Sequence, residues 1–381
     1  MPTPYPAALI RHERLQRNWS QEGLCAGICT VSYLSKIEQG KAEPSPSVLK
    51  ALLARLDVCW HDGPDAQQAN VLADRWEQAL VAMDSEAVHS ARQSLNKRRK
   101  QLLHGPSMLR LLLLESLSME DEPSHARQLA AFESCFDERQ RAMWLMLCNR
   151  WEEALALWPV GYAWLNAGAA AYRQGAYTQA IEQLLHACSL AAEEGHARVL
   201  LHARTLLGNC YSDLNDHESM MKHYRPAQRL ARDLREDALL RTISYNTACT
   251  EIQLGRCEEA LAKLRAIDHP DAMTLHKIAI CCERLCDTQQ ALEALDGAAA
   301  APVGWPGREW ADEMCALVRM RLSDPAYLRS AAYGRRLTDC FDRMTRELAA
   351  GYACFHLPWV EEWYAANRMY KQAYELRKRF S

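Results

Sequence analysis

The sequence predicts an all-α protein, a small helical head followed by a long array of stacked helical pairs. Three observations carry this. No segment sustains a two-residue apolar alternation rich in β-branched residues, so strands are not expected. Gly63-Pro64, Gly105-Pro106, Pro159, Pro270, Pro325 and Pro358 cut the chain into helix-sized pieces. Small and large apolar residues recur in step beyond residue 160. With 381 residues, 49% of them hydrophobic and 24% charged, the chain has material for two or three domains and a sizeable core.

The head comes first. Ser20 is placed to cap a short helix, with Gln21 and Glu22 in its first turn, where polar and acidic groups suit the helix dipole. A tight turn follows at Gly27, and a second helix runs to Gly40. Leu24, Ile28, Leu34 and Ile37 are spaced to pack these two helices on Leu9, Ile10 and Leu15 of a preceding one. Thr30, Val31, Ser32, Tyr33 and Lys36 are left on the outer side of the second helix. A short helix held out from a small core with a polar N-terminal end has the geometry that enters a DNA major groove. From about Pro6 to Trp60 the chain resembles the lambda-repressor/Cro-like (XRE-type) helix-turn-helix domain. The match rests on Ser20-Gln21, Leu34-Ser35-Lys36-Ile37-Glu38-Gln39-Gly40-Lys41 and Pro44-Ser45-Pro46-Ser47. The DNA-binding candidates are Gln21, Thr30, Ser32, Tyr33, Lys36 and Lys41. A mild local excess of Arg and Lys over residues 1–60 fits a head that needs a second copy to bind tightly.

Bulk charge does not mark the whole chain as a polyanion binder, since 45 Lys and Arg face 48 Asp and Glu. Met1 to Pro6 lacks a basic region followed by an apolar run, and Met108 to Leu117 is too short to span a bilayer and is broken by Arg110 and Glu115. The expectation is a cytoplasmic protein away from membranes, its fifteen cysteines reduced and acting as small core hydrophobes. There is no Cys-x-x-Cys, and Cys281-Cys282…Cys286 lies in a helical segment without a matching His pair, so no metal site is expected. No Gly-rich phosphate loop, His-Glu-x-x-His or Gly-x-Ser-x-Gly occurs. No catalytic residue, enzyme activity or cofactor is therefore expected.

The stretch Trp60 to Asp65 is the natural boundary, giving a head over 1–62 and a repeat region over 66–381, clearest at 161–300. Gly168, Gly208 and Ala248 stand 40 residues apart, and Trp164-x3-Gly168-x3-Tyr172 with Gly175-x-Tyr177-x2-Ala180-x3-Leu184-x2-Ala187 resembles the tetratricopeptide (TPR) pattern. The spacing exceeds the usual ~34 residues, predicting longer helices. The fold expected is a right-handed TPR-like α-solenoid. Between 66 and 160 further helical pairs are expected without a fixed register. The cluster Lys97-Arg-Arg-Lys100 there reads as a solvated face, with DNA-backbone contact as the sharper alternative.

On the first helix of each pair, a second stripe falls opposite the packing stripe and lines the inner surface of stacked repeats. It runs through Tyr162, Asn166, Ala169 and Arg173, then His202, Leu206, Asn209 and Asp213, then Thr242, Asn246, Cys249 and Gln253, then Met273, Lys277, Ile280 and Arg284. A primary amide both donates and accepts, so the three Asn suit the main chain of an extended peptide. Arg173, Lys277 and Arg284 suit a terminal carboxylate or an acidic side chain. The expectation is that these Asn lie outside the packing between helices.

An XRE-type helix-turn-helix followed by TPR-like repeats resembles the RRNPP family of peptide-responsive regulators (Rgg-like and PlcR-like proteins). The resemblance implies a dimeric transcription factor binding double-stranded DNA, whose repeats take a short signalling peptide that shifts DNA affinity or dimer geometry. The abundance of Trp and Tyr leaves a small apolar molecule open as the signal. The alternative from another class is a TPR scaffold for protein partners tethered to DNA by its head.

Overall fold

The computed structural model describes residues 4–61, 63–99, 105–118, 125–214, 216–304, 306–348 and 350–380, and among these every regular element is helical. Lys100, at the end of the basic cluster, lies outside the described residues. Packing divides the chain into two compact units, Met1–Ala167 with His186–Leu200 and Gly168–Leu185 with Leu201–Ser381.

In the first unit, local sequence signals set the head. Helix α1 (Tyr5–Gln16) starts with Pro6 in its first turn. Helix α2 (Gln21–Cys25) is capped by Ser20, whose Oγ accepts the Gly23 N–H at 3.0 Å. Helix α3 (Val31–Glu38) is capped by Thr30, whose Oγ1 accepts the Tyr33 N–H at 3.2 Å. Helix α4 (Pro46–Arg55) starts from Ser45 in the same way. Gly27 and Gly40 close the turns at φ +72° and +69°, a left-handed conformation that costs glycine least. Ile10, Leu24, Leu34, Ile37, Leu52 and Leu53 are fully buried. Leu15, expected in this core, is 53% exposed instead, in the last turn of α1.

The head's core does not stop at the motif boundary. Helices α5 (Pro64–Val81), α6 (Ser85–Lys97), α7 (Met108–Leu117), α8 (Ala126–Ala130), α9 (Glu138–Leu147) and α10 (Trp151–Leu157) follow, and one apolar cluster runs from Tyr5 to Ala167. The Tyr5 hydroxyl donates to Met108 Sδ at 2.9 Å, and its ring meets the Phe132 ring at 5.4 Å edge to face. Helix α7 is buried nearly all round, a core helix; no helix among the described residues is long and apolar enough to cross a membrane. Two residues of the basic cluster are structural: Arg98 pairs with Asp65 at 2.6 Å, and Arg99 grips Glu115 with two bonds of 2.8 and 2.9 Å. Burial works against ionised Glu115, but Arg99 and His125 outweigh it and hold the carboxyl below its ordinary value. Both arginines are thus committed within the protein rather than left for DNA.

Helices α11 (Gly161–Arg173), α12 (Tyr177–Glu194) and α13 (Ala197–Asp213) come next. The second unit then adds α14 (His217–Asp233), α15 (Asp237–Gln253), α16 (Cys257–Arg265), α17 (Ala272–Arg284), α18 (Thr288–Ala300), α19 (Arg308–Ser323), α20 (Ala331–Glu347), α21 (Ala350–Ala366) and α22 (Tyr370–Phe380). The recurring small residues mark close helix crossings. A Cβ on Gly208 would stand 2.0 Å from the Tyr224 ring, and one on Gly168 2.6 Å from Leu184. Ala248 and Ala279 take the same place in the next two pairs and are fully buried.

Candidate nucleic-acid interface and ligand cavity

The outer side of α3 is open. Val31, Ser32, Lys36 and Lys41 are exposed, and Ser32, Lys36 and Lys41 carry no side-chain partner among the described residues. The other candidates are partly engaged. Thr30 spends its hydroxyl lone pair on the cap, and the Tyr33 hydroxyl donates to the Glu43 carbonyl at 3.1 Å, which pins the ring beside the α3–α4 loop. Gln21 is half-buried, with Nε2 donating to Glu38 at 2.8 Å. This bond belongs to a feature that the sequence reading missed: Arg14 and Glu38, both almost fully buried, form a two-bond ion pair of 2.7 and 2.8 Å joining α1 to α3. A residue pair 24 positions apart has no spacing signature. Arg55 is also internal, donating to the Leu24 carbonyl at 2.9 Å and to that of Ala26, so it braces the turn after α2. The free donors of α3 point outward, and a basic, polar helix face of this kind suits a groove edged by phosphates.

The second unit holds a cavity of about 140 Å³. Six of the predicted inner-stripe residues line it: Asn209, Asp213, Asn246, Cys249, Gln253 and Lys277. Tyr245 of α15 contributes, and Gly351, Tyr352, Cys354 and Phe355 of α21 form a wall that sequence reasoning did not find. That helix lies about 70 residues or more from the others in the chain, and nothing in its own pattern announces a partner. A larger recess of about 480 Å³ shares Tyr245, Asn246 and Tyr352 with this cavity.

The remaining stripe residues fall elsewhere. Asn166 donates to the Tyr162 carbonyl of its own helix at 2.8 Å, and both belong to the first unit. Arg173 is exposed at the end of α11 and does not line the cavity. Arg284 donates to the Ile252 carbonyl, closing the end of α15 instead of facing a ligand.

The expectation that the Asn stand outside the packing is overturned at two positions. Tyr224, wholly buried, donates its hydroxyl to Asn209 Oδ1 at 2.6 Å. Asn246 Nδ2 donates to Asn209 Oδ1 at 3.1 Å and to the Tyr224 hydroxyl at 3.2 Å. The triangle ties α13, α14 and α15 together. It also uses only half of each amide: Asn209 keeps its Nδ2 donor and Asn246 its Oδ1 acceptor unengaged among the described residues, and both residues line the cavity.

Two charges complete the walls. Asp213 Oδ2 accepts the hydroxyls of Tyr172 at 3.1 Å and Tyr177 at 3.2 Å. Burial raises its pKa, and the two hydroxyls pull it back by stabilising the ionised form. Lys277 is 3% exposed, with Nζ 3.4 Å from the centre of the Phe355 ring and no carboxylate in salt-bridge reach among the described residues. Burial drives its pKa from 10.5 down to about 8, with Cys249, Cys315 and Cys281 pulling the other way. Beside it, His276 and His356 stack at 6.1 Å, both fully buried and both held neutral by burial and by Lys277.

Residues 10–58 match the helix-turn-helix family HTH_3. This stretch is a helix-turn-helix domain. No curated protein matches the chain significantly in sequence. Among solved structures, the chain is similar in fold to the apo form of the quorum sensor NprR from B. thuringiensis, with TM-score 0.57 and 17% identity over 82% of this chain and 99% of that one. NprR in complex with its cognate peptide NprX gives TM-score 0.53 and 16% identity over 81% and 99%. A Rap protein complexed with Competence and Sporulation Factor gives 0.56 and 13% over 82% and 97%. At these identities the likeness establishes the fold: an all-helical chain with a helix-turn-helix head and a helical-repeat body.

Proposed function

We propose that this chain is a DNA-binding transcription regulator whose repeat region takes a short signalling peptide, and that the peptide alters DNA affinity or the spacing of two heads. The observation that carries the DNA half is the helix-turn-helix with Ser32 and Lys36 free on the outer face of α3. Ser32, Tyr33 and Lys36 are assigned to the groove, and Lys41, with Gln21 at the start of α2, to phosphates. The peptide half is supported by the cavity, where Asn209 and Asn246 offer one donor and one acceptor, the complement of a peptide group. It is supported also by a fold shared with NprR, a quorum sensor solved with its cognate peptide. One small head of modest charge buries too little surface for tight specific binding, so a homodimer reading half-sites ~34 Å apart, or a multiple, is part of the proposal. The test is selection of duplexes from a randomised pool by the full chain, followed by anisotropy of the selected duplex with and without peptides encoded beside the gene. A selected sequence whose affinity responds to one such peptide supports the reading; a peptide that binds the chain and leaves DNA affinity untouched sinks the regulatory half.

A further inference from the structure

The outer face of α14 carries a row of cations that the fold leaves unspent. Met220, Tyr224, Ala227 and Ala231 bury one side of this helix. Lys222, Arg225, Arg229 and Arg232, spaced three and four apart, fall on the opposite side, and all four are exposed. Lys222 pairs with Glu218 at 2.9 Å, but the three arginines have no ion pair or side-chain hydrogen bond among the described residues. Arginines elsewhere in this unit are used otherwise: Arg319, Arg336 and Arg343 each grip a carboxylate of a neighbouring helix, at 2.7, 2.8 and 2.8 Å. The charge is also particular to this helix. The preceding second helix of a pair, α12, carries Glu182, Glu193 and Glu194 and no Lys or Arg, and α18 carries Glu293 and Asp296 and none. On α14 the acids Glu218 and Asp233 stand at the two ends, and no exposed large apolar side chain lies on it.

We propose that this ridge binds the phosphate backbone of duplex DNA without reading its sequence. It adds to the DNA-binding reading above a contact outside the head, and does not depend on the head's selectivity. The ten steps from Lys222 to Arg232 rise ~15 Å, and one strand of B-form DNA advances ~3.4 Å per phosphate, so the row spans about four phosphates. A guanidinium presents paired N–H donors that match two phosphate oxygens, and three of the four cations are arginines. A protein interface is organised differently, around an apolar centre depleted of charge, and the ridge offers none. The near balance of 45 Lys and Arg against 48 Asp and Glu over the whole chain hides the feature, because a bulk count cannot show which helix holds the surplus. The cations of the basic cluster near residue 98 are spent inside the protein; those left for a backbone are on α14.

The test is anisotropy of the full chain with a labelled duplex of mixed sequence, about 50 base pairs long, over a salt series. Two triple variants are compared with the native chain: Arg225→Gln, Arg229→Gln, Arg232→Gln, and the same three positions changed to Lys. The Gln variant should melt as the native chain does, since no internal partner is lost. It should bind the duplex about 10- to 100-fold more weakly at ~0.1 M salt, with the slope of log affinity against log salt reduced by about 2 to 3. The Lys variant keeps the charges and should keep the slope. Both variants should enrich the same sequences as the native chain from a randomised pool, since backbone contacts carry no sequence information. An unchanged affinity and slope in the Gln variant overturns the proposal, as does the absence of duplex binding by the native chain at low salt. A Gln variant that keeps duplex binding and loses that of poly-L-glutamate also overturns it, and makes the ridge a docking face for an acidic protein. The two DNA readings fail separately. A native chain that enriches no sequence, beside a Gln variant that loses duplex binding, keeps the ridge and removes the selective head; a selected sequence bound equally by both at every salt concentration does the reverse.

Discussion

The helix-turn-helix head completes its buried polar groups, whereas the repeat unit completes some, as in the pairs Arg321–Glu283 and Lys263–Glu251 at 2.6 Å each, and leaves others half-satisfied. In the head, the deeply buried charged pair among the described residues is complete: Arg14 and Glu38 satisfy each other with two bonds, Gln21 adds a third, and Arg55 and the Tyr33 hydroxyl are spent on main-chain carbonyls. In the second unit, Asp213, Lys277, Asn209 and Asn246 are drawn inward and left half-satisfied around a cavity. A finished polar core fixes a shape; an unfinished one marks where a missing partner belongs. The head is built to present a rigid outer face, and the repeat unit to receive something.

The contrast is broken most severely by unpairing the head. Arg14→Met leaves the buried Glu38 carboxyl without its guanidinium partner, and should cost about 3–5 kcal/mol in the unfolding free energy measured by urea titration. A loss under about 1 kcal/mol would mean that the pair is not a structural element. Next in size is Gly208→Val, where the new side chain must displace the Tyr224 ring. It should destabilise by about 1–3 kcal/mol and disturb the amide triangle with it, read by melting curves of the chain with and without the change. Asn246→Ala should cost a similar or smaller amount, about 1–2 kcal/mol, because it withdraws a donor from the buried Tyr224 hydroxyl and from Asn209. An unchanged melting temperature would restore the view of this Asn as a purely ligand-facing residue.

Charge titration sharpens the comparison further. The folded-state pKa of Lys277 is depressed, so the unfolded chain binds more protons between pH 8 and 10.5 and stability rises with pH across that window. His276 and His356 act in the same sense at lower pH, since both are held neutral, with His356 down at about 3; stability falls as the pH drops below their ordinary 6.5. Lys277→Met should therefore raise the melting temperature of the ligand-free chain at neutral pH and flatten the alkaline slope. A lower melting temperature would show that the ammonium is paired in solution. The smallest stability effect belongs to Lys41→Ala, exposed and unpartnered, which should leave melting unchanged and reduce the salt dependence of DNA binding by about one counterion.

The two regions were also unequally legible in the sequence. Ser20 caps the helix it precedes and Gly27 and Gly40 adopt the turns their positions suggested, because caps and turns are decided within four residues; Thr30, read as a groove-facing residue, is the cap of α3 by the same local rule. The inner stripe followed from helical period alone and brought Asn209, Asp213, Asn246 and Lys277 to one cavity. The period could not say what each amide bonds, since Tyr224 enters from the neighbouring helix, nor that Phe355 of α21 covers Lys277. Arg14–Glu38 escaped for the same reason. Contacts set by local geometry leave a pattern in the chain, and contacts set by packing between distant helices do not.

The central claim, a head that reads DNA through the free face of α3, is tested most directly by selection from a randomised duplex pool with the full chain and with the double variant Ser32→Ala, Lys36→Ala. The account predicts that the native chain enriches one sequence family with repeated half-sites, and that the variant, with an unchanged melting temperature, loses that enrichment while keeping weak, salt-sensitive binding. The same family enriched by both proteins, or none by the native chain, would contradict it.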